Sequence, residues 1–393
     1  MAKPRMATLT AGAASAVLRG HPWIWRDAVT RVPSGAKTGD VVTLCDPAGR
    51  AIGQGLWDAA SPIAARVYGR SADRALDAGA IVAAVGRAFD RRRRWKDDGD
   101  TTAYRLCHGE GDRVPGVVID RYAHVAVLRL DGDAIAVWLD ALIEGIWPLL
   151  QALGVRSFIL RGARGESEER IRPLAGDSPP ESITVRENGV AMVVDLLRGQ
   201  KTGAFLDQRD NRRRVRELAR GRRVLNLFSY AGGFSTAAAL GGAEHVTSVD
   251  LAQAAHATAE ASMRANGIDP SAHAFVTADA FAFLAAAQQK RQRWELVVSD
   301  PPSFAPSEKS RPRALSAYRR LHGACAAVLA EQGILCASSC SSHVSAEDFA
   351  TTLDDAATGR PELSLVALYS NPWDHPTLPG WPEGRYLKFA VLT

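Results

Sequence analysis

From Gly189 onward, short apolar runs alternate with segments of helical spacing. They read Arg223–Leu227, a helix over Ser235–Leu240, His245–Asp250, a long helix to Asn266, Ala274–Thr277, a helix to Gln289, then Leu296–Ser299. Strands that are apolar throughout are buried on both faces, and strands separated by helices pair in parallel. This alternation predicts an α/β fold: an open, mainly parallel sheet with helices on both sides. Gly333–Ala337, Ser364–Ser370 and Tyr386–Leu392 supply its later strands. Such sheets bind ligands in the crevice outside the carboxyl ends of their strands.

Upstream the pattern differs. Val41–Tyr68 reads as short strands around a turn at Asp46–Arg50, which predicts a small β-rich module. Ala78–Trp95 has helical spacing and ends in Arg91–Arg94, either a solvated face or an RNA-facing stripe. Strand-like runs at Tyr104–Leu106, Gly116–Asp120 and Ala126–Leu130 precede a helix at Ala134–Leu153 and a strand at Ser157–Leu160. They predict a small α+β unit. Arg70–Asp77 reads as a linker and Arg164–Ser182 as a charged loop. The expected domains are 1–70, 71–188 and 189–393, and no internal repeat is found.

Composition narrows the class. Of 393 residues, 46% are hydrophobic and 23% charged, which excludes a largely disordered or collagen-like chain. Five scattered cysteines are no disulfide framework, and Cys336–x3–Cys340 has no second pair to complete a zinc site, so no metal is expected. No apolar run approaches the roughly 20 residues of a membrane span. The Met1 end lacks the apolar core of a signal peptide. A cytoplasmic protein is expected. Residues 1–70 carry nine cations and four acids, an excess equal to the net +5 of the whole chain. A basic module on a near-neutral remainder fits a polyanionic partner such as nucleic acid.

The strand ends carry the chemistry. Val224–Phe228 runs into Ser229–Tyr230–Ala231–Gly232–Gly233, a glycine turn before a helix. Backbone can approach a ligand closely there. The next strand ends in Asp250, placed to accept hydrogen bonds from a ribose, with Leu251 beside it. The third is followed by Asp279–Ala280–Phe281, an acid or main-chain group for an exocyclic amine beside an aromatic face, and the fourth ends in Asp300–Pro301–Pro302. No G-x-x-x-x-G-K-[ST] phosphate loop is present, which suits a nucleoside cofactor without phosphates.

The stretches Asn226–Gly233, Ser248–Asp250, Asn266–Gly267, Asp279 and Asp300–Phe304 resemble the motifs of class I S-adenosylmethionine-dependent methyltransferases. His21–Trp23, Gly116–Arg121, Lys201–Gly203, Leu206–Arg209, Ser339–Ser341, Asp374–Pro376 and Pro382–Lys388 narrow the resemblance, over nearly the whole chain, to bacterial large-subunit ribosomal RNA cytosine-C5 methyltransferases. The resemblance implies an N-terminal PUA domain, a small α+β domain and a Rossmann-like methyltransferase domain. It further implies S-adenosylmethionine as cofactor and 23S ribosomal RNA as partner. Asn226, Phe228, Ser229, Tyr230, Gly232, Gly233, Asp250, Leu251, Asn266, Asp279, Ala280, Phe281, Asp300 and Pro301 become the expected cofactor contacts. The oligomeric state stays open, a homodimer included.

Carbon 5 of a pyrimidine is a poor nucleophile until a thiolate adds to carbon 6, so this chemistry asks for a cysteine. Cys340 follows an apolar strand within Ser338–Ser342, whose hydroxyls could stabilise a thiolate. A small buried apolar residue is the plain alternative, and it suits Cys325 and Cys336. Asp300 is expected either to cap a strand end or to meet the cytosine N3/N4 edge. Phe304 either stacks on a flipped base or packs in the core. Ser303 stands where some cytosine-C5 enzymes carry a second cysteine, so the base that removes the C5 proton has no assignment. Lys201, Gln208, Arg209 and Arg212–Arg214 either hold RNA phosphates or form a solvated helix face. His21, Trp23 and Trp25 either read unpaired bases or fill the core of the first module. His375 either caps the C-terminal loop or lines the pocket.

Three other functions compete. A guanine N-methyltransferase needs no nucleophilic cysteine, a uracil-C5 enzyme uses the same thiolate logic, and a ribosome-assembly RNA-binding protein would keep only a vestigial cofactor site.

Overall fold

The computed structural model describes residues 5–70, 75–162 and 171–393. Four sheets form, and each follows from its sequence pattern. The first has six strands, Met6–Leu9, Trp23–Trp25, Val29–Arg31, Val41–Cys45, Ala51–Trp57 and Ile63–Gly69. Its turn at 46–50 is built as expected: the Asp46 carboxylate accepts the amides of Ala48 and Arg50, and Gly49 takes φ +80°. The first three strands and the helix Ala11–Leu18 were not legible in the sequence pattern.

The second sheet pairs Ile171–Gly176, Ser157–Arg161, Val125–Leu130, Val117–Tyr122 and Ala103–His108, in that order. Its outer strand falls inside the segment read as a loop. None of its residues is buried, and the half-buried ones do not alternate, so the apolar signal is weak. Residues 71–74 of the expected linker and 164–170 of the expected loop lie outside the described residues. The helix expected at 134–153 breaks into Asp133–Ala136 and Leu139–Gln151.

A hairpin, Ser182–Glu187 and Val190–Asp195, joins this unit to the next. Its two-residue turn is Asn188–Gly189, both at positive φ (49° and 81°), the sequence that a tight hairpin turn requires. Ile183, Val185, Met192 and Val194 pack on Tyr122, Val125, Val127 and Ile159 of the second sheet. The expected boundary between 188 and 189 falls within this turn.

The last sheet has seven strands. Their order is Ala274–Thr277, His245–Asp250, Arg223–Leu227, Trp294–Ser299, Leu329–Ser339, Lys388–Leu392, Leu365–Tyr369. The first five are parallel and Lys388–Leu392 is antiparallel to both its neighbours. Successive residues face opposite cores: Val224, Leu296, Val298 and Cys336 on one side, Leu225, Val297, Leu335 and Ala337 on the other. That is why the strands read as unbroken apolar runs. The strand order reverses between Arg223–Leu227 and Trp294–Ser299, and a crevice opens at their carboxyl ends.

Buried ion pairs join the units. Asp374 accepts Nη1 and Nη2 of Arg209 at 2.8 and 2.9 Å, and the Arg105 amide at 3.0 Å. Arg92 donates to the Asp374 carbonyl and to Asp112. Arg66 and Trp23 of the first unit reach Glu110 of the second. Arg66 is therefore a joint between units, and part of the N-terminal charge excess is spent inside the protein. No helix among the described residues is long and apolar enough to cross a membrane.

Arg209→Ala would strand the Asp374 carboxylate in a buried site where both groups are almost fully enclosed. Losing one partner of such a pair costs about 3–5 kcal/mol. Urea denaturation should show that loss, and Arg209→Lys should recover only part of it because an ammonium cannot bridge both oxygens. An unchanged midpoint for Arg209→Ala would refute the role.

Candidate active site

The turn after Arg223–Leu227 is held in an unusual backbone shape. Phe228 and Tyr230 both sit at positive φ, 57° and 45°, a conformation that costs non-glycine residues of order 1–3 kcal/mol each. The neighbouring strand holds it there: the Tyr230 amide donates to Asp250 Oδ2 at 2.8 Å, and the Ser229 amide to the Val249 carbonyl at 3.0 Å. Tyr230 accepts the Gln200 amide on its hydroxyl at 2.8 Å. The second Asp250 oxygen accepts the Ala252 amide, and a carboxylate keeps further lone pairs for a ligand.

The glycines act differently from the expectation. A Cβ at Gly232 would lie 2.4 Å from the Ala259 Cβ, and one at Gly233 would lie 3.0 Å from Arg212 Cδ. Their missing side chains serve packing beneath the turn, and to the crevice they offer backbone. Leu251 stands 70% exposed beside Asp250. Asp279 caps the helix Ala280–Gln289 through the Ala282 amide, and Phe281 is covered by the Arg320 guanidinium at 4.3 Å. The buried Ser229 hydroxyl has no partner among the described residues. A rim with two carboxylates, an exposed leucine, an unpaired hydroxyl and no cation in its turn fits a nucleoside ligand without phosphates.

Two expected cofactor contacts lie elsewhere. Asn226 is buried within its strand and donates to Ser235 Oγ at 2.8 Å, bracing the turn from below. Asn266 ends the helix Gln253–Ala265, which runs away from the crevice. Its amide group accepts the Ala191 amide and donates to the Ala191 and Ser262 carbonyls. It clamps the hairpin to the far end of that helix.

The other half of the rim is polar and enclosed. The strands ending in Asp300 and Cys340 are neighbours, with Ser299 opposite Ala337. Gln208 spans them, donating to Asp300 Oδ1 at 2.9 Å and Ser338 Oγ at 3.0 Å, while Asn211 fixes its amide orientation. Gln208 is buried, so it orients Asp300 and does not face RNA. Burial pushes the Asp300 carboxyl up to about 6, with Asp207 adding to the rise against the Ser338 hydrogen bond. Asp207 is buried as well, which by itself would raise its pKa. Lys201 at 2.7 Å and the Tyr386 hydroxyl at 2.8 Å instead hold it well below the usual carboxylate range. Lys201 stays one-third exposed on the rim.

Arg209 and Arg212 are interior residues. Arg209 binds Asp374, and Arg212 forms a two-point contact with Glu187 at 2.8 Å. Neither is free to hold phosphates. Phe304 packs 4.8 Å from the Tyr318 ring and against the apolar core. His375 is buried, 4.9 Å from the His108 ring and beside Asp374, so it belongs to the joint between units. Trp23 packs on Trp381 at 5.2 Å, while Trp25 is 44% exposed.

Cys340 is partly exposed, unlike the other four cysteines, which are buried. Burial pushes its thiol up to about 11. Lys201 and Lys388 pull it down, and Asp300 and Asp207 push it further up. The flanking serines do not serve it as expected. Ser339 donates to Tyr318, Ser341 bonds Ser303 and Tyr318, and Ser338 bonds Gln208.

Lys388 closes the Pro382–Lys388 motif, but no role was expected of it. It sits opposite Ser339 in the sheet register, buried to 2% exposure with no carboxylate at ion-pair distance among the described residues. Its Nζ donates to the carbonyls of Ser341, Val344 and Tyr386 at 2.6, 2.7 and 2.8 Å. Burial lowers its pKa to about 8 while Cys340 acts to raise it. The available signal was one cation heading the apolar strand Lys388–Leu392.

Comparison with known proteins agrees with this geometry. Residues 147–385 match the S-adenosylmethionine-dependent methyltransferase family and residues 7–70 a PUA-like domain. The chain is 33% identical over 386 residues to the ribosomal RNA large subunit methyltransferase I of Erwinia tasmaniensis, with 97% of each covered. It is 32% identical over 389 residues to that of Escherichia coli, again with 97% of each covered. Its fold matches a Streptococcus mutans protein assigned to the SAM-dependent methyltransferases with a TM-score of 0.87 at 25% identity, covering 99% of both chains. A further solved protein, assigned as a methyltransferase and in complex with SAH, gives a TM-score of 0.88 at 25% identity, covering 99% of this chain and 100% of that one. The expected fold class and cofactor are thus both met: a PUA-like β-rich domain precedes a class I methyltransferase domain that uses S-adenosylmethionine. The chain belongs to the S-adenosylmethionine-dependent methyltransferases, in the family of the ribosomal RNA large subunit methyltransferase I proteins.

Proposed function

We propose that this protein methylates C5 of a cytosine in 23S ribosomal RNA, with Cys340 as covalent nucleophile. One observation carries the reading: a partly exposed thiol ends the strand beside Asp300, on the same sheet edge as the Phe228–Gly233 turn and Asp250. The names of the relatives supply the RNA class.

The cofactor supplies, when bound, an electrophilic methyl group on a sulfonium. The Phe228–Gly233 turn, Asp250, Leu251, Asp279–Phe281 and Pro301 hold it. The two Asp250 oxygens already fix the turn and present their remaining lone pairs to ribose hydroxyls. Lys201 and Lys388 favour the anionic form of Cys340, which adds to C6 of the extruded base. Asp300, held by Gln208, meets the N3/N4 edge: ionised, it accepts from the N4 amine; protonated, it donates to N3 as charge moves there. A pKa of about 6 makes both forms accessible near neutrality. After C5 gains its methyl group, loss of the C5 proton returns electrons to the ring and expels the thiolate. A uracil-C5 reaction would use the same thiol. A guanine N-methyltransferase would leave it idle.

RNA carrying 5-fluorocytosine at the target has no C5 proton to lose, so it should trap a covalent complex that survives denaturation. Cys340→Ala should give no complex and no turnover. Full activity of Cys340→Ala would remove the proposal, and a trap on 5-fluorouracil RNA alone would point to uracil.

The free thiol should be sluggish. Thiolate is the reactive form, and with a pKa pushed up to about 11 its population rises about tenfold per pH unit through the neutral and mildly alkaline range. Iodoacetamide labelling, mapped to the Cys340 peptide, should follow that slope without a plateau. Lys388→Met should slow labelling below about pH 8, where the ammonium is charged, with the difference shrinking above it, and Lys388→Arg should restore part of the rate. A plateau near the ordinary thiol value, or equal rates for Lys388→Met and wild type below about pH 8, would contradict this account of the charge balance.

A further inference from the structure

The Arg91–Arg94 run splits in the structure. Arg92 is buried on Asp112, while Arg91 and Arg93 are exposed and pair with Asp112 and Asp90. Arg94 has no carboxylate within ion-pair distance among the described residues. Its guanidinium lies 4.2 Å from the Trp95 ring centre and 5.3 Å from that of Trp373. Trp373 is 65% exposed, among the most exposed large apolar side chains described.

An exposed tryptophan on a loose loop would carry little weight, but this loop is fixed. The next residue, Asp374, is fully buried and accepts both Arg209 nitrogens and the Arg105 amide, and Arg92 donates to its carbonyl. Asn371 donates to the carbonyls of His375 and Gly384. The loop leaves the edge strand Leu365–Tyr369. That strand is antiparallel to Lys388–Leu392, which is antiparallel to Leu329–Ser339. The strands ending in Tyr369 and Ser339 therefore run the same way, and the loop departs from the edge that carries Cys340. Two strand spacings separate them, about 10 Å.

We propose that Trp373 with Arg94 is a stacking platform for unpaired RNA bases flanking the target nucleotide. This rests on the RNA reading given above. Aromatic rings backed by guanidinium groups suit single strands: the rings take base faces and the cations take the backbone phosphates. A duplex keeps its bases stacked on each other and offers only phosphates. Extruding a base is easiest from an unpaired segment, so a single-strand reader beside the crevice complements the chemistry there.

Fluorescence anisotropy with a labelled single-stranded oligoadenylate and a duplex RNA of equal charge tests the platform. Trp373→Ala should weaken oligoadenylate binding about tenfold and leave duplex binding within about twofold, because base–aromatic stacking is what it removes. Trp373→Phe should keep most of the affinity. Arg94→Lys, which keeps charge but loses the planar stack, should weaken the single strand as well. On unmodified 23S RNA, Trp373→Ala should raise KM about tenfold at unchanged kcat and unchanged SAH affinity. Equal oligoadenylate binding by wild type and Trp373→Ala would overturn the proposal, as would an equal loss on the duplex. If wild type methylates no ribosomal RNA while the oligoadenylate contrast holds, the platform stands and the proposed substrate falls.

Discussion

The pairing of Arg209 with Asp374 holds the site together, because it closes a gap between segments far apart in the chain. Arg209 opens the helix Arg209–Leu218, next to the glutamine that aims Asp300. Asp374 lies in the C-terminal loop and is also reached by Arg105 and Arg92 of the central unit. Two charges leave water at a cost of several kcal/mol each, recovered only with good geometry and with the remaining lone pairs filled. Here the guanidinium meets both oxygens and the backbone supplies a further donor. The geometry so fixed extends to Gln208 on one side and to the Trp373 loop on the other.

Around Cys340 two opposing effects are balanced. Removal from water disfavours the thiolate, and so do two nearby carboxylates. Two lysines oppose them, and burial wins in the free protein. Lys388 is unusual among these charges because it is enclosed with no carboxylate at ion-pair distance among the described residues, Asp348 acting on it only from farther off. Two of its protons go to the Ser341 and Val344 carbonyls just after the cysteine and the third to Tyr386 on its own segment, so it fixes the shape of that loop as well as its potential.

Much of this was readable beforehand. Continuous apolar strands between helices gave away the parallel sheet, and the Asp250, Asp279 and Asp300 strand ends marked its crevice. The failures share a physical cause. Arg209, Arg212 and Arg92 looked like surface cations because arginine is usually exposed, and their partners Asp374, Glu187 and Asp112 are remote in sequence or in another element. Asn226 and Asn266 lie within recognisable motifs but spend their amide groups on the backbone and on Ser235, which a linear pattern cannot express. Lys388 ends the recognised stretch Pro382–Lys388 but received no role, because one cation in a strand carries no periodic signal. The N-terminal strands were too short to alternate, at three or four residues each.

The carbonyl cage of Lys388 has a consequence for the life of the protein between turnovers. With its protons committed, this ammonium reaches the sulfur only through space, and such a field strengthens as water leaves. In an open crevice the thiol stays protonated and reacts slowly with peroxides, because it is the thiolate that attacks their O–O bond. The sulfur is thus shielded from oxidative loss by the same burial that delays its chemistry.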